Sequence, residues 1–212
     1  MSIAEITVAW ERYARDRTPR RDRNAAGAAS WFNWTSHPDH GPDEAVLGDL
    51  RGRSVLELGS GTGCNLAHLA TLGARCVGLD VAPSQTAKAI ARWGHLPGLE
   101  FTTGEAVDTL ATTPDLFDVV YSVFGAVWFT DPDVLLPLMR HALAPGGVIA
   151  FSHTAPADAA SPSPDACVRR YDLDGRQWVD LLVRHGFARA EWDVIEGPGG
   201  RGPRTLLVRA FA

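Results

Sequence analysis

Cysteine is scarce in this sequence, and its few copies are scattered. The three cysteines are Cys64, Cys76 and Cys167, and their spacing does not match that of a metal-binding cluster. An odd number of scattered thiols also gives no disulfide framework. The sequence therefore predicts no metal site and a reducing compartment, the cytoplasm.

Long apolar runs and an excess of basic charge are missing as well. No stretch approaches the length of a membrane span, and the segment MSIAEITVAWERYARD has an early glutamate and lacks the apolar centre of a signal peptide. The formal net charge is −5, and two aspartates interrupt the basic run RDRTPRRDR at 15–23. Because phosphate backbones attract clustered Lys and Arg, neither nucleic acid nor membrane is an expected partner.

Short β-rich runs alternate with helical segments from residue 53 onward. The runs are SVLELG, CVGLD, LEFTTG, FDVVYSV and GVIAFSH, and helices are predicted over 63–72, 83–94, 131–143 and 174–185. The segments ARAEWDVIE and TLLVRAFA, joined by GPGGRGPR, predict a C-terminal hairpin. This alternation indicates a parallel sheet with helices on both faces.

The N-terminal segment has a different composition. Apolar side chains at spacings of three and four predict a helix over 3–14, and they are Ile3, Ile6, Trp10 and Tyr13. Residues 19–48 are predicted to be mostly loop, although they include the aromatic stretch WFNW. We expect residues 1–50 to form a helix and lid segment, and 51–212 to form the main domain. A further mobile loop or lid is expected over 155–166.

The stretch VLELGSGTG, residues 55–63, places three glycines directly after an apolar run. Without a Cβ the chain turns tightly there and a ligand can lie against the backbone, although a plain tight turn is the alternative. Asp80 ends the second predicted strand, where a carboxylate can accept hydrogen bonds from a ribose diol. The glycine turn, together with the acidic residue at the end of the second strand, predicts a cofactor that contains adenosine.

The glycine pattern is not that of a dinucleotide-binding fold. The G-x-G-x-x-G fingerprint needs a third glycine, but its place is taken by Cys64 or Leu66, depending on the starting glycine. No G-x-x-x-x-G-K-[ST] phosphate loop is present either. A nicotinamide-dependent oxidoreductase is therefore disfavoured.

The order of motifs over about 53–212 resembles class I S-adenosylmethionine-dependent methyltransferases. The motifs are VLELGSGTG, GLDVAPSQ, FTTGEA, FDVVYSV, LAPGGVIAFS and RQWVDLLVRHGF. The resemblance implies an α/β fold, with a Rossmann-like, doubly wound, seven-stranded sheet inside an α/β/α sandwich. It also implies that the sheet is mostly parallel, with an antiparallel last strand. The expected cofactor is S-adenosyl-L-methionine, and the product is S-adenosyl-L-homocysteine.

The resemblance also implies residue roles. Glu57 is expected near the methionine end, Asp80 on the ribose, Glu105 on the adenine amino group and Ser122 towards the sulfonium methyl. The full set implied for the cofactor is Glu57, Gly59, Ser60, Gly61, Gly63, Asp80, Val81, Gln85, Glu105, Ala106 and Ser122.

Candidate bases and acceptor contacts are less well defined. A general base is needed only when the nucleophile must lose a proton, and the candidates are His37, His40 and His153. Histidines in a surface turn, or fixed by hydrogen bonds, are the alternatives. The expected walls of the acceptor pocket are Trp31, Trp34, Phe124 and Trp128, although ordinary packing is the stronger interpretation for Trp128 and its neighbour Phe129.

These observations predict a methyltransferase that acts on an O, N or C atom of a small molecule. The segment WFNWTSHPDHGP is similar to small-molecule methyltransferases of bacterial secondary metabolism. The alternatives are methylation of a protein or nucleic acid, and a non-catalytic protein that binds S-adenosylmethionine. The acceptor and the oligomeric state stay open.

Overall fold

A computed structural model describes residues 2–16, 21–159 and 168–212. Seven strands form one sheet in the order β3-β2-β1-β4-β5-β7-β6. They are β1 (Ser54–Leu58), β2 (Arg75–Asp80), β3 (Leu99–Thr103), β4 (Phe117–Val123), β5 (Leu143–Thr154), β6 (Arg189–Ile195) and β7 (Thr205–Phe211). The pairs among β1 to β5 are parallel, and β7 runs antiparallel to both β5 and β6. The predicted fold class is confirmed.

Helices connect the strands. They are α1 (Ile3–Asp16), α2 (Cys64–Thr71), α3 (Pro83–Trp93), α4 (Ala106–Thr112), α5 (Ala126–Phe129), α6 (Pro132–His141) and α7 (Gly175–Arg184). Short 3-10 turns lie at Glu44–Leu47, Pro156–Asp158 and Pro198–Gly200. The predicted helices are confirmed to within two residues, but α4 and α5 were not predicted because they are too short to show helical periodicity.

Local sequence explains where several helices begin. Proline is tolerated in the first helical turn because its missing N–H has no partner there, and α3 and α6 begin with Pro83 and Pro132. At α7, Asp174 accepts from the backbone N–H of Gln177 at 2.9 Å, and the Gln177 side chain accepts from the Asp174 N–H at 2.8 Å. This reciprocal pair fixes the start of the helix.

Successive side chains along a strand point to opposite faces of the sheet, and each face has its own hydrophobic core. Leu56 and Leu58 of β1 pack on the face covered by α6 and α7. Val55 of β1 and Tyr121 of β4 lie in the other core, together with α2. This alternation is what the pleat of a strand produces, and it leaves the carboxyl ends of β1 to β4 at one edge of the sheet.

The N-terminal segment after α1 completes the second core. Trp34 is fully buried, and its ring lies 4.9 Å from Phe32 and 6.0 Å from Tyr121. Its Nε1 donates to the backbone oxygen of Asp43 at 3.0 Å, which satisfies the one polar atom of the buried ring. The aromatic stretch is therefore part of the core that covers the sheet.

Part of the expected loop at 155–166 lies outside the described residues, namely 160–166, as does Cys167. At its described start, the Asp158 carboxylate accepts from the backbone and side chain of Arg204 at 2.7–3.1 Å. Among the residues that the structure describes, no helix has the length and apolarity of a membrane span, and no cluster of His, Cys, Asp or Glu has the makeup of a metal site.

Candidate functional site

A cavity of about 260 Å³ lies at the carboxyl ends of β1 to β4. This is where open α/β sheets bind ligands, since the connections diverge there. The loops after these four strands supply most of its lining, and further lining residues are Ile6, Trp10 and Tyr13 of α1 and Val168. The helix predicted at the N-terminus therefore covers the mouth of the β-sheet crevice.

The glycine turn forms the cavity floor. The N–H groups of Gly59 and Ser60 both donate to the backbone oxygen of Leu79, at 2.8 and 3.0 Å. A Cβ on Gly59 would lie 2.8 Å from the Cα of Gly125, and Gly59 has φ +82°, so only glycine fits. At Gly61, φ is +54° and a Cβ would meet no protein atom within 4 Å, so its surroundings are open.

Asp80 joins this turn to the end of β2. Its Oδ2 accepts from the Gly61 N–H at 2.7 Å, and its Oδ1 accepts from the Ala82 N–H at 2.9 Å. Burial raises the pKa of Asp80, and the two N–H bonds act in the opposite direction. Because each carboxylate oxygen has two lone pairs, each oxygen keeps one acceptor position beyond its bond to the backbone.

Glu105 lies on the far side of the cavity, at the start of α4. Its Oε2 accepts from the Asp108 N–H at 2.9 Å, so Glu105 is the N-cap of that helix. The same side chain lines the cavity together with Ala106 and Gly104. The cap fixes one carboxylate oxygen and thereby orients the carboxylate at the cavity wall.

Buried polar groups lie beneath the glycine turn. Glu57 of β1 is buried and lines the cavity. Burial, and then the nearby charge of Glu57, raise the pKa of Tyr121 well above its usual value and that of Cys76 to about 12. Tyr121 and Cys76 are therefore neutral at pH 7. Asn65, at the start of α2, also lines the cavity and was not predicted; its Nδ2 donates to the Asn33 oxygen at 3.3 Å.

Nine of the eleven side chains or backbone positions expected at the cofactor line this cavity. They are Glu57, Gly59, Ser60, Gly61, Asp80, Val81, Gln85, Glu105 and Ala106. Gly63 instead begins α2, where a Cβ would lie 2.5 Å from the Phe101 ring. Ser122 donates to the Leu58 oxygen at 2.7 Å behind the turn.

The three histidines expected as bases are not brought together, and none lines the cavity. Nε2 of His37 bonds the Pro203 oxygen at 2.9 Å, and Nε2 of His40 bonds the Glu196 oxygen at 2.7 Å. Both histidines therefore attach the N-terminal segment to the β6–β7 loop. Neither His37 nor His40 lines the cavity, so the expectation that they act as bases there is corrected.

His153 is held inside the protein. Its Nδ1 donates to the Thr154 oxygen at 2.8 Å, and its Nε2 accepts from Trp178 Nε1 at 2.9 Å. Burial lowers the pKa of His153, which keeps the ring neutral. Since both ring nitrogens are engaged, the expectation of a base at His153 is corrected as well.

Only one of the four residues expected to wall an acceptor lines the cavity, and that residue is Phe124. Trp31 and Trp34 belong to the buried segment described above. Trp128 lies behind the wall, where its Nε1 donates to Asp172 at 2.8 Å and its ring stacks on His153 at 5.3 Å. The expectation that Trp31 and Trp34 wall the pocket is therefore corrected, whereas Trp128 is packed, which was the stronger interpretation for it.

Two further aromatic residues line the cavity: Trp10, which was not expected there, and Phe129, for which ordinary packing was the stronger interpretation. Trp10 of α1 lies edge-on to Phe129 of α5, with ring centroids 4.6 Å apart. Glu11 accepts from the Ser84 N–H at 2.8 Å, which attaches α1 to the start of α3. The spacing of apolar residues in α1 indicated its buried face, but gave no signal of which surface that face covers.

Comparison with known proteins agrees with this geometry. Residues 55–147 match the family model described as a methyltransferase domain. Over these residues the chain is similar to the class I S-adenosylmethionine-dependent methyltransferases. The matched region of the methyltransferase domain extends from β1 into β5, and so includes the glycine turn, Asp80 and Glu105.

Two curated methyltransferases are similar to parts of this chain. The chain is 36% identical over 114 residues to a protein of Mycobacterium ulcerans named "Probable phthiotriol/phenolphthiotriol dimycocerosates methyltransferase 2", covering 53% of this chain and 43% of that protein. It is 34% identical over 120 residues to trans-aconitate 2-methyltransferase of Deinococcus radiodurans, covering 56% and 44%. The chain thus spans less than half of the length of these relatives.

A solved structure supports the fold over a larger share of the chain. The structure titled as a DhpI–SAH complex superposes with a TM-score of 0.59 at 26% identity, over 77% of this chain and 78% of that one.

Proposed function

We propose that this protein is an enzyme that transfers a methyl group from S-adenosylmethionine to an O, N or C atom of a small molecule, leaving S-adenosylhomocysteine. The observation that carries the proposal is Asp80 beside the open glycine turn. Its carboxylate is fixed by two backbone N–H groups and retains an acceptor position on each oxygen. A ribose diol needs such a pair of acceptors.

The remaining lining fits the rest of the cofactor. Glu105, fixed by its cap, accepts from the adenine amino group, and Val81 and Ala106 lie beside the ring. The open backbone at Gly61 accommodates the methionine part, with the charge of Glu57 beneath it. These residues bind and orient the cofactor, and α1, as a lid, excludes water from the sulfonium.

Methyl transfer itself needs little chemistry from side chains. The cofactor supplies a methyl group on a positively charged sulfur, and the acceptor atom displaces the sulfur in line. Holding the two reactants in attack geometry can lower the barrier by roughly 7–11 kcal/mol. The cavity therefore promotes methyl transfer by holding the cofactor and the acceptor in the correct relative position.

A small acceptor is favoured over a macromolecule. The cavity lies between α1 and the sheet edge, and the net charge of −5 is unfavourable for a nucleic acid. The two curated relatives are named as a phthiotriol/phenolphthiotriol dimycocerosates methyltransferase and a trans-aconitate 2-methyltransferase. A cytoplasmic location is part of the proposal. A place in secondary metabolism, suggested by the resemblance of WFNWTSHPDHGP, is also part of the proposal.

Calorimetric titration with S-adenosylhomocysteine and then transfer of a labelled methyl group to a panel of small molecules test the proposal. We expect saturable binding that the Asp80→Ala variant weakens, and turnover of at least one acceptor. Binding without turnover across the panel would favour the alternative of a non-catalytic binding protein. No binding would refute the proposal.

A further inference from the structure

We infer that the acceptor is a planar aromatic molecule that carries no negative charge in its bound part. This inference rests on the proposed function, since it concerns the part of the cavity that the cofactor leaves free. The observations behind it are the aromatic rings at one end of the cavity, the sign of the charges around it and the strained backbone of Phe124.

The cavity has two ends of different chemistry. Its polar end lies where β2 and β3 finish, with Asp80, Gln85 and Glu105. Its other end lies beyond β4, on the opposite side of β1 in the sheet order. That end, which we call the aromatic end, is lined by Ile6, Trp10, Phe124, Phe129, Thr130 and Val168. Thr130 supplies the one side-chain hydroxyl in this group.

Contacts with neighbouring aromatic side chains hold Phe129 of the aromatic end in place. Phe129 lies between Trp10, at 4.6 Å and 79°, and Trp128, at 5.1 Å. Trp128 is in turn fixed by its hydrogen bond to Asp172. A rigid aromatic wall loses little side-chain entropy when a ring packs against it, and ring pairs prefer offset or edge-on contact at such distances.

Phe124 has a backbone conformation that favours its participation in binding. Its φ is +49°, in the left-handed region that bulky residues rarely adopt. The backbone is held there by the bond from the Phe124 N–H to the Ser152 oxygen at 2.8 Å. Strained residues of this kind cluster at ligand sites, and Phe124 lines the cavity next to the glycine turn that contacts Gly125.

The charges around the cavity disfavour an acidic acceptor. Among the described residues, the charged side chains that line it are Glu57, Asp80 and Glu105, all acidic. Arg170, a basic side chain of the region that does not line the cavity, lies over the Trp128 ring at 5.2 Å and 3.5 Å from Asp172. A carboxylate buried at the aromatic end would find no counter-charge in the described lining, which is strongly unfavourable.

Three probes that share one bicyclic carbon skeleton separate the effect of shape from the effect of charge. We choose 2-naphthol, which is planar and uncharged, 2-naphthoate, which is planar and anionic, and decahydro-2-naphthol, which is uncharged but not planar. Each is titrated calorimetrically into protein saturated with S-adenosylhomocysteine. We expect 2-naphthol to bind at least tenfold more tightly than either of the other two.

Two variants locate the binding. Phe124→Ala and Phe129→Leu are each expected to weaken 2-naphthol at least tenfold while changing the affinity for S-adenosylhomocysteine less than threefold. Trp192→Leu is the matched control, because Trp192 is a half-exposed aromatic residue of β6 that does not line the cavity. Melting curves show which variants are folded, and Phe129→Leu serves as the test if Phe124→Ala is not.

Equal or tighter binding of 2-naphthoate would overturn the charge argument, and equal binding of decahydro-2-naphthol would overturn the argument for planarity. Binding of S-adenosylhomocysteine with none of the three probes would refute the inference and leave the proposed cofactor site standing. Failure of S-adenosylhomocysteine itself to bind would refute the proposed function and the inference with it.

Discussion

The Asp80 carboxylate accepts two backbone hydrogen bonds in addition to its proposed contact with ribose. It accepts from the N–H groups of Gly61 and Ala82, and therefore holds the glycine turn against the end of β2. The carboxylate is thus already oriented before a ribose arrives, which reduces the entropy lost on binding.

Replacing Asp80 tests this arrangement. Asp80→Ala removes both proposed ribose contacts and leaves two backbone donors without their acceptor. We expect binding of S-adenosylhomocysteine to weaken by about 2–4 kcal/mol, the worth of one or two charge-assisted hydrogen bonds. Calorimetric titration measures it, with the exposed Asp193→Ala of β6 as the control. Unchanged affinity in a folded Asp80→Ala protein would rule out the ribose contact.

Glu105 combines a helix cap with a proposed adenine contact, and two substitutions separate them. Glu105→Gln keeps one acceptor oxygen, which can rotate towards the adenine amino group, so we expect a smaller loss of affinity than at Asp80, together with a weakened helix cap. Glu105→Ala removes the cap as well, and should lower the free energy of unfolding by about 0.5–2 kcal/mol. Titration and denaturant unfolding give the two quantities. A loss for Glu105→Gln that equals that for Asp80→Ala would mean that the adenine contact is the stronger one.

His153 predicts a pH dependence of stability. In the folded protein its pKa is lowered by burial, and protonation would set its Nε2 proton against that of Trp178. The unfolded chain therefore binds more protons at acidic pH, so the stability contributed by neutral His153 falls as pH falls below the unfolded value of about 6.5.

Unfolding curves between pH 7.5 and 5.5 measure this effect. We expect the free energy of unfolding to fall by up to about 1.4 kcal/mol per pH unit from this one group below pH 6.5. His153→Gln should be less stable at pH 7.5 but show a shallower fall on acidification. Equal slopes in both proteins would show that His153 is not the group responsible.

At the scale of elements, α1 can be separated from the rest of the N-terminal segment. Among its described side chains only that of Ala14 is buried, so the helix contributes little to either core. The following stretch differs, since Phe32 and Trp34 are core residues. Within residues 1–50, the proposed lid is therefore α1, and the part that packs into the core is the later stretch with Phe32 and Trp34.

Deleting residues 2–16 is the corresponding experiment. We expect a folded protein whose affinity for S-adenosylhomocysteine falls about tenfold, because Trp10 and Ile6 no longer cover the cavity. Methyl transfer should fall to background. Deletion of residues 2–40 is the comparison, and it should fail to fold because it also removes Phe32 and Trp34. Full turnover by the shorter deletion would rule out α1 as a lid.

The sequence predicted the elements better than their contacts. Strands and helices after residue 53 have local periodicity, and the glycines with Asp80 mark one loop and one strand end, so the cofactor side of the cavity could be inferred. Trp34 could not be placed, because an aromatic residue in a glycine-rich loop has the same local pattern whether it lines a pocket or packs on a sheet. His37 was misjudged for a similar reason, since its partner, the Pro203 oxygen, lies 166 positions away.

At the scale of the whole molecule, cofactor binding should appear as thermal stabilisation. A ligand present at 100 times its dissociation constant adds about 2.7 kcal/mol of stability. For a domain of this size that corresponds to a rise in Tm of roughly 5–11 °C. We expect this rise with S-adenosylhomocysteine and none with NAD, whose fingerprint the glycine turn lacks. An equal rise with NAD would contradict the assignment of the cofactor.

The bonds from His37 and His40 to the β6–β7 loop have a consequence for biosynthesis. The ribosome makes His37 and His40 long before the carbonyls that they bind, since Pro203 and Glu196 follow them by 166 and 156 residues. Strand β6 also pairs with β7, which follows it. At about 5–20 residues per second, β6 waits roughly 1–3 s for β7. During that interval the segment that covers the sheet with Trp34 lacks the hydrogen bonds of His37 and His40 to the β6–β7 loop. The nascent chain is therefore vulnerable to aggregation at a stage when the cofactor loops have already been made.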